Sequence, residues 1–412
     1  MRICGVIAEY NLFHNGHLHH LKMSRELAKA DYCIVIMSGH FTQRGAPSIA
    51  DKYARTRTAL VSGADLVLEL PSCYATGSAE YFAIGALSLL DQLGCVDALC
   101  FGSECGNLEL LERFAEIFAN EPPQFRQRLK EMLKHGSSYP LARSNALTEL
   151  YPELSADVMT LSVPNNILGI EYLKALRLLH STITPYTIKR LGADYHDRRF
   201  GKDFCSSSAL RNSLISGRPF SDLRDQIPDG AYEVLREYFR TEKPIYMDDF
   251  STLLHYKLIL ERSAGYTDYL DVTPDLSDRI LNNLYRFTTI SAFCELLKTK
   301  EMTYARISRC LSHILLGIRW ETVRGYIDRL HYTPYARVLG FRRNSSELLT
   351  EIDRHSSIPL LTKLADAKST LKEAAYHMFL KELEIADIYN SVQGNKSGHP
   401  MRNEYSTPLV II

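Results

Sequence analysis

Four short apolar runs in the first hundred residues do most to limit the folds open to this chain. They are ICGVIAEY (3–10), YCIVIMSG (32–39), ADLVLELP (64–71) and VDALCFGS (96–103). Each is rich in Val, Ile and Leu, and each ends in Gly, Pro or Ser or runs into a polar loop. Strands of that composition are buried on both faces, as in a parallel sheet. Between them lie stretches with helical spacing, among them HLHHLKMSRELAKA and AEYFAIGALSLLDQL. A βαβα series of this sort predicts an α/β fold, an open parallel sheet with helices on both faces. In such sheets ligands bind beyond the carboxyl ends of the strands, where the strand-to-helix loops gather.

From about residue 217 the strand signals fade and amphipathic patterns take over, as in LRDQIPDGAYEVLREYF and ISAFCELLKT. The 412 residues are therefore expected to divide into an α/β domain over 1–216 and a mainly α-helical region over 217–412. The polar end SVQGNKSGHPMRNEYSTPL, punctuated by Gly and Pro, is expected to be a loosely held terminus. Lys+Arg and Asp+Glu balance at 48 each, so any polyanionic partner has to be met by a local basic surface. The chain shows no run of about 18 apolar residues and no signal-peptide pattern, so a cytoplasmic protein without a membrane partner is expected. The nine cysteines form no CxxC pair and are read as reduced and mostly buried.

The first strand-to-helix loop carries FHNGHLHH, residues 13–20, with four histidines in eight positions. A strand followed by a turn and then His14-Asn15-Gly16-His17 at a helix start suits a triphosphate. The helix N-terminus offers free N–H donors and positive dipole charge, and Gly16 lets the backbone approach a ligand closely. Imidazoles three residues apart share a helix face, so His14 and His17 can both donate to the oxygens of a departing pyrophosphate. That makes them the candidate catalytic pair, stabilising charge as it develops. His17 and His20 are also spaced for zinc, but no third ligand stands nearby, and no metal site is assigned.

HNGH after a first strand resembles the HxGH signature of the nucleotidyltransferase superfamily. The wider context, GVIAEYNLFHNGHLHHL, MSGHFTQRGAPSIADKYARTRTAL, GADLVLELP, FGSE, NNILGIEYLKAL and IKRLGADYHD, with PYARVLGF and ADIYN further on, is similar to the tRNA(Met) cytidine acetate ligase family. The resemblance implies a Rossmann-like nucleotidyltransferase domain followed by the helical region. It also implies a two-step reaction: ATP, with Mg2+, and acetate give acetyl-adenylate and pyrophosphate. The acetyl group then passes to N4 of the wobble cytidine of elongator tRNA(Met). The family's ATP loop falls on Ile7, Ala8, Glu9, Tyr10, Asn11, Leu12, Phe13, His14, Asn15, Gly16, His17, Leu18, His19 and His20. Further nucleotide contacts fall on Gly102, Asn166, Arg190 and Leu191. Two positions depart from the family's usual pattern: Leu12 stands in place of Pro before the HxGH string, and His40 in place of Asn in SGNF.

Other candidates follow from chemistry. SSSALR, Ser206 to Arg211, resembles the superfamily's second signature, in which hydroxyls at a helix start bind phosphate as well as capping the helix. Lys52 and Arg55 in DKYARTRTAL are candidate substrate or phosphate contacts, with Arg57 nearby, and His196 is a candidate orienting or proton-handling residue. Between Thr303 and Ser345 stand eight Arg against two acids, Glu321 and Asp328, interleaved with Tyr304, Trp320, Tyr326, Tyr332 and Tyr335. Arginine with aromatics neutralises phosphates and stacks on splayed bases, so this stretch is the expected tRNA-contacting part. Two alternative functions share part of this pattern. One is a small-molecule nucleotidyltransferase joining AMP to a cofactor precursor, which would not need the second region. The other is a non-catalytic RNA-binding protein, which would not need the intact histidines and glycine.

Overall fold

A computed structural model describes residues 1–135, 139–190 and 206–412. The strands are β1 Ile3–Ala8, β2 Tyr32–Ser38, β3 Phe41–Thr42, β4 Ala46–Pro47, β5 Leu66–Leu70, β6 Ala98–Ser103, β7 Thr184–Lys189, β8 Ala336–Phe341, β9 Leu360–Leu361 and β10 Val410–Ile411. The main sheet runs β10-β8-β5-β2-β1-β6-β7, with β9 paired to β8, while β3 and β4 form a small hairpin apart from it. The four apolar runs read from the sequence are β1, β2, β5 and β6, and all of their pairings to one another are parallel.

Side chains alternate across the central strand β2. Ile34 and Ile36 face one core with the helices Ala79–Gln92 and Pro164–Leu178, and Cys33, Val35 and Met37 face the other. That second core is covered by α1 (Asn15–Ala28), α2 (Lys52–Val61) and the helix Ser207–Ile215. With helices on both sides, no face of the sheet is left to water, which is why the strand sequences carry so little polarity.

The second half behaves as read up to Tyr335, with helices and no named strand, and then returns to the sheet. β8 lies antiparallel to β5, with Leu66 opposite Phe341 and Glu69 opposite Arg337. β10 runs parallel to β8 at the sheet edge. Gly340 makes that edge possible, because a Cβ there would stand 2.4 Å from the Val410 carbonyl oxygen. The C-terminal stretch is therefore not loose. Residues up to Ser397 belong to the helix Glu373–Ser397, Glu404 is buried, and Val410 and Ile411 are strand. What overrides the polar composition is ion pairing of Glu404 with Lys52 and Arg337, partners far away in sequence. Among the described residues, no helix is long and apolar enough to cross a membrane, and all eight cysteines are free thiols.

Candidate nucleotide-binding site

β1 pairs with β2 along its whole length, to Ala8 opposite Met37. On its other side it pairs with β6 only through Cys4, Gly5 and Val6, whereas β6 continues with β7 to Ser103 opposite Lys189. The sheet thus splits at the carboxyl ends of β1 and β6. Strand order also reverses there, which is where an open α/β sheet offers its ligand crevice.

The loop leaving β1 is held from several sides. Tyr10 takes a positive φ of 49° and the Asn11–Leu12 peptide is cis. Asn11 Oδ1 accepts the Ile49 N–H at 2.9 Å, and Glu9 Oε1 accepts the Gln43 N–H at 2.7 Å. Leu12 and Phe13 are buried in the core beneath α1, so the apolar residue standing in place of Pro is packed there. His14 then caps α1 with extended backbone (φ −144°), and its carbonyl accepts the N–H groups of His17 and Leu18.

The His14 and His17 rings stack with centroids 3.7 Å apart, and the His14 backbone N–H points at His17 Nδ1 at 3.3 Å. An accepting Nδ1 carries no proton, so neutral His17 holds its hydrogen on Nε2 as a donor. Burial, then the neighbouring His14 and Arg190, push the His17 imidazolium well below its ordinary range. Burial, with Arg190 and Arg211 adding to it, lowers His14 to about 3, and burial and Arg190 lower His20 to about 4. His14 Nδ1 and His20 Nε2 are buried and have no hydrogen-bond partner among the described residues. Two buried ring nitrogens without partners among the described residues, beside the Arg190 and Arg211 guanidiniums, make a cleft that matches a polyanion.

Arg190 reaches the histidines from the end of β7, and its Cγ lies 3.4 Å from where a Cβ on Gly102 would stand. Arg211, on the helix Ser207–Ile215, donates to the Asn11 carbonyl and, at 3.0 Å, to Ser208 Oγ. Burial lowers its guanidinium to about 10, opposed by Glu9. Ser206 Oγ caps that helix by accepting from Ala209 N, and Ser207 Oγ donates to the Leu12 carbonyl at 3.4 Å. The serine-rich signature and the HxGH loop therefore meet. Asn166 lies alongside, at the start of the helix Pro164–Leu178. Its Oδ1 accepts the N–H groups of Glu104 and Cys105 at 2.9 and 3.2 Å, which fastens the loop after β6. Leu191 and His196 fall outside the described residues.

Lys52 and Arg55 are not in the cleft. Lys52 is sealed between Glu69 and Glu404. Arg55, fully buried, donates to the carbonyls of Ala50, Glu9, Ser38 and Gly39, tying the loops after β1 and β2 together. His40 stacks on Tyr389 at 4.2 Å, with Nε2 3.7 Å from Glu404 Oε1, so this departure from the family pattern belongs to a buried charge cluster. Glu9, already on the expected ATP loop, serves there as a loop anchor, and one cleft-side residue escaped the sequence reading: Arg44, near Arg211. The QRG turn at 43–45 was the only signal for Arg44.

The histidines give the cleft a pH signature. Unfolded, they protonate near 6.5; folded, His14 and His20 do so only near 3 and 4. The folded chain binds fewer protons in that window, so it loses stability as pH falls below about 6.5. A bound triphosphate reverses the bias, because an anion favours the imidazolium. ATP binding at pH 6 is therefore expected to take up on the order of one proton. Titration calorimetry in two buffers of different ionisation enthalpy measures this, and tight binding with zero uptake would mean the rings act only as neutral donors.

A sequence profile of the HIGH nucleotidyl transferase family matches residues 1–404. A protein of Thermoanaerobacter sp. (strain X514) named tRNA(Met) cytidine acetate ligase is 40% identical over 398 residues, covering 96% of this chain and 97% of the relative. A protein of the same name from Clostridium novyi (strain NT) is 39% identical, covering 96% of both chains. Among solved structures, apo Thermotoga maritima TmcAL superposes with a TM-score of 0.94 at 31% identity over the full length of both chains. The same protein bound with alpha-thio ATP gives a TM-score of 0.91.

Proposed function

Because the chain belongs to the tRNA(Met) cytidine acetate ligase family of HIGH nucleotidyl transferases, we propose that it acetylates elongator tRNA(Met) at the wobble cytidine, using ATP and acetate. The observation that carries this reading is the cleft at the β1/β6 split, where Arg190 and Arg211 stand near enough to the stacked His14 and His17 rings, and Arg190 to His20, to disfavour their protonation. Acetate is an anion and must attack an α-phosphorus surrounded by negative oxygens. Fixed cations and donors offset that repulsion and stabilise the pyrophosphate as the P–O bond breaks. His17, with its proton on Nε2, and His14 at the mouth of α1 supply donors to that leaving group. Arg190 and Arg211 supply permanent charge. Magnesium accompanies a nucleoside triphosphate and is held in this reading by the phosphates themselves. Among the described residues, no three His, Cys, Asp or Glu side chains gather as a metal site.

In the second step the cytidine N4 attacks the acetyl carbon, the C–N bond forms, AMP departs with the electrons of the broken C–O bond, and N4 releases one proton to the medium. A cytosine amine is a weak nucleophile, so the anhydride has to be kept from water until the base arrives. The test is incubation with ATP, magnesium and radiolabelled acetate, with and without unmodified elongator tRNA(Met). Label at the wobble cytidine with matching pyrophosphate release is the expected result. Pyrophosphate without labelled RNA would keep the adenylating cleft and overturn the acceptor.

A further inference from the structure

The β3–β4 hairpin stands between the cleft and the helix Tyr304–Leu316. Three consecutive residues make the bridge. Gln43 donates its N–H to Glu9 at the end of β1. Arg44 is exposed at the turn, close enough to Arg211 to lower its protonation. Gly45, with φ of +65°, lies flat on the helix, where a Cβ would stand 2.4 Å from the backbone of Arg309. Its carbonyl accepts from Ser308 Oγ at 2.9 Å and Ser312 Oγ at 2.6 Å. The hairpin is thus clamped at both ends, and the backbone at Arg44 is held one residue from the backbone contact of Gly45 with Arg309.

Three other arginines of the 303–345 stretch are held in ion pairs. Arg337 is buried in ion pairs with Glu69 and Glu404. Arg319 pairs with Asp268 at 3.2 Å and lies over the Tyr269 ring, and Arg324 pairs with Asp328 at 3.4 Å. Tyr326 and Tyr335 are core residues. Arg309 is half-buried with its Nε unpartnered among the described residues; it faces Asp271, and Arg306 is near enough to weaken its protonation further.

We propose that Arg44, Arg309 and Arg306 form a basic strip that guides the phosphates of a single-stranded RNA loop to the mouth of the nucleotide cleft. The inference rests on the proposed function and specifies where its RNA lies. A base that must reach an adenylate inside the cleft has to be unstacked, which a loop permits and a duplex does not. A guanidinium row leading to that cleft neutralises the backbone on the way in.

The probe is the unmodified anticodon stem-loop of elongator tRNA(Met), titrated at several salt concentrations against Arg44→Ala, Arg306→Ala and the double variant. Arg324→Ala serves as an off-strip control. Each strip variant is expected to weaken binding about 5–10-fold and to lower the slope of log K against log salt by about 0.7 per lost phosphate contact. Arg306→Lys should recover most of the slope, and Arg324→Ala should match the unsubstituted protein. A double variant with unchanged affinity and slope, in a protein that still acetylates tRNA, would overturn the strip alone. An unsubstituted protein that neither binds nor acetylates the RNA would overturn the proposed function and the strip with it.

Discussion

A His17→Ala variant is expected to lose acetate-dependent ATP–pyrophosphate exchange by about 10²–10³-fold, the cost of removing one preorganised donor from a developing oxyanion. His17 holds this position for a geometric reason. Its ring is fixed by stacking on His14 at 3.7 Å and by the His14 N–H directed at Nδ1, so Nε2–H is the edge free to donate. Alanine removes that donor and leaves the His14 N–H without its side-chain partner, while the helix start remains to bind phosphate. ATP affinity should therefore fall less than the exchange rate, and affinity for the tRNA should stay within about twofold, since no RNA contact is assigned to His17. His17→Asn, which keeps an amide donor, should lie between the two. Exchange retained within about tenfold in the alanine variant would show that the loop binds nucleotide without contributing to the chemistry.

How far the sequence could be read depended on how local the cause of each feature was. β1, β2, β5 and β6 were legible because a strand covered on both faces must be apolar along its own length. The His14–His20 loop was legible because a strand, a turn, a glycine and a helix start are adjacent in the chain. β8 was not. ARVLGF is six residues long, and Arg337 within it reads as a surface cation, because the carboxylates that pair with it stand at Glu69 and Glu404. Lys52 and Arg55 misled for the same reason: a basic residue near a crevice looks ligand-directed until its buried partners are known. In Arg55's case those partners are backbone carbonyls, which no side-chain pattern announces.

The tail gives the second large effect. Glu404 lies 2.7 Å from Lys52 Nζ and 2.5 Å from Arg337, and it accepts from Tyr53 Oη at 3.1 Å, all of them buried or half-buried. Burial alone would raise its carboxyl, but Lys52, His40 and Arg337 outweigh that and hold it well below the usual carboxylate range. With Glu404→Ala, two buried cations share only Glu69, which is expected to cost about 3–5 kcal/mol of stability. Denaturant unfolding should show this as a lower midpoint at unchanged slope. The cost belongs to the uncompensated charge more than to the lost contact. Lys52→Met with Glu404→Gln leaves Arg337 and Glu69 paired at 3.0 Å, so the double variant should be less destabilised than the two single effects summed. The pH dependence separates this cluster from the cleft. A carboxyl with a depressed folded pKa contributes stability above its unfolded value near 4.5, and that stability is lost as pH falls below it. The histidine loss begins near 6.5 instead. Acid unfolding of Glu404→Ala should therefore keep the upper phase and lose part of the lower one. An unchanged lower phase would mean that the last ten residues do not anchor the sheet edge through this charge. The link to the cleft runs through α2: Lys52 sits in its first turn, and Arg55, three residues on, holds the Glu9 carbonyl at 2.6 Å.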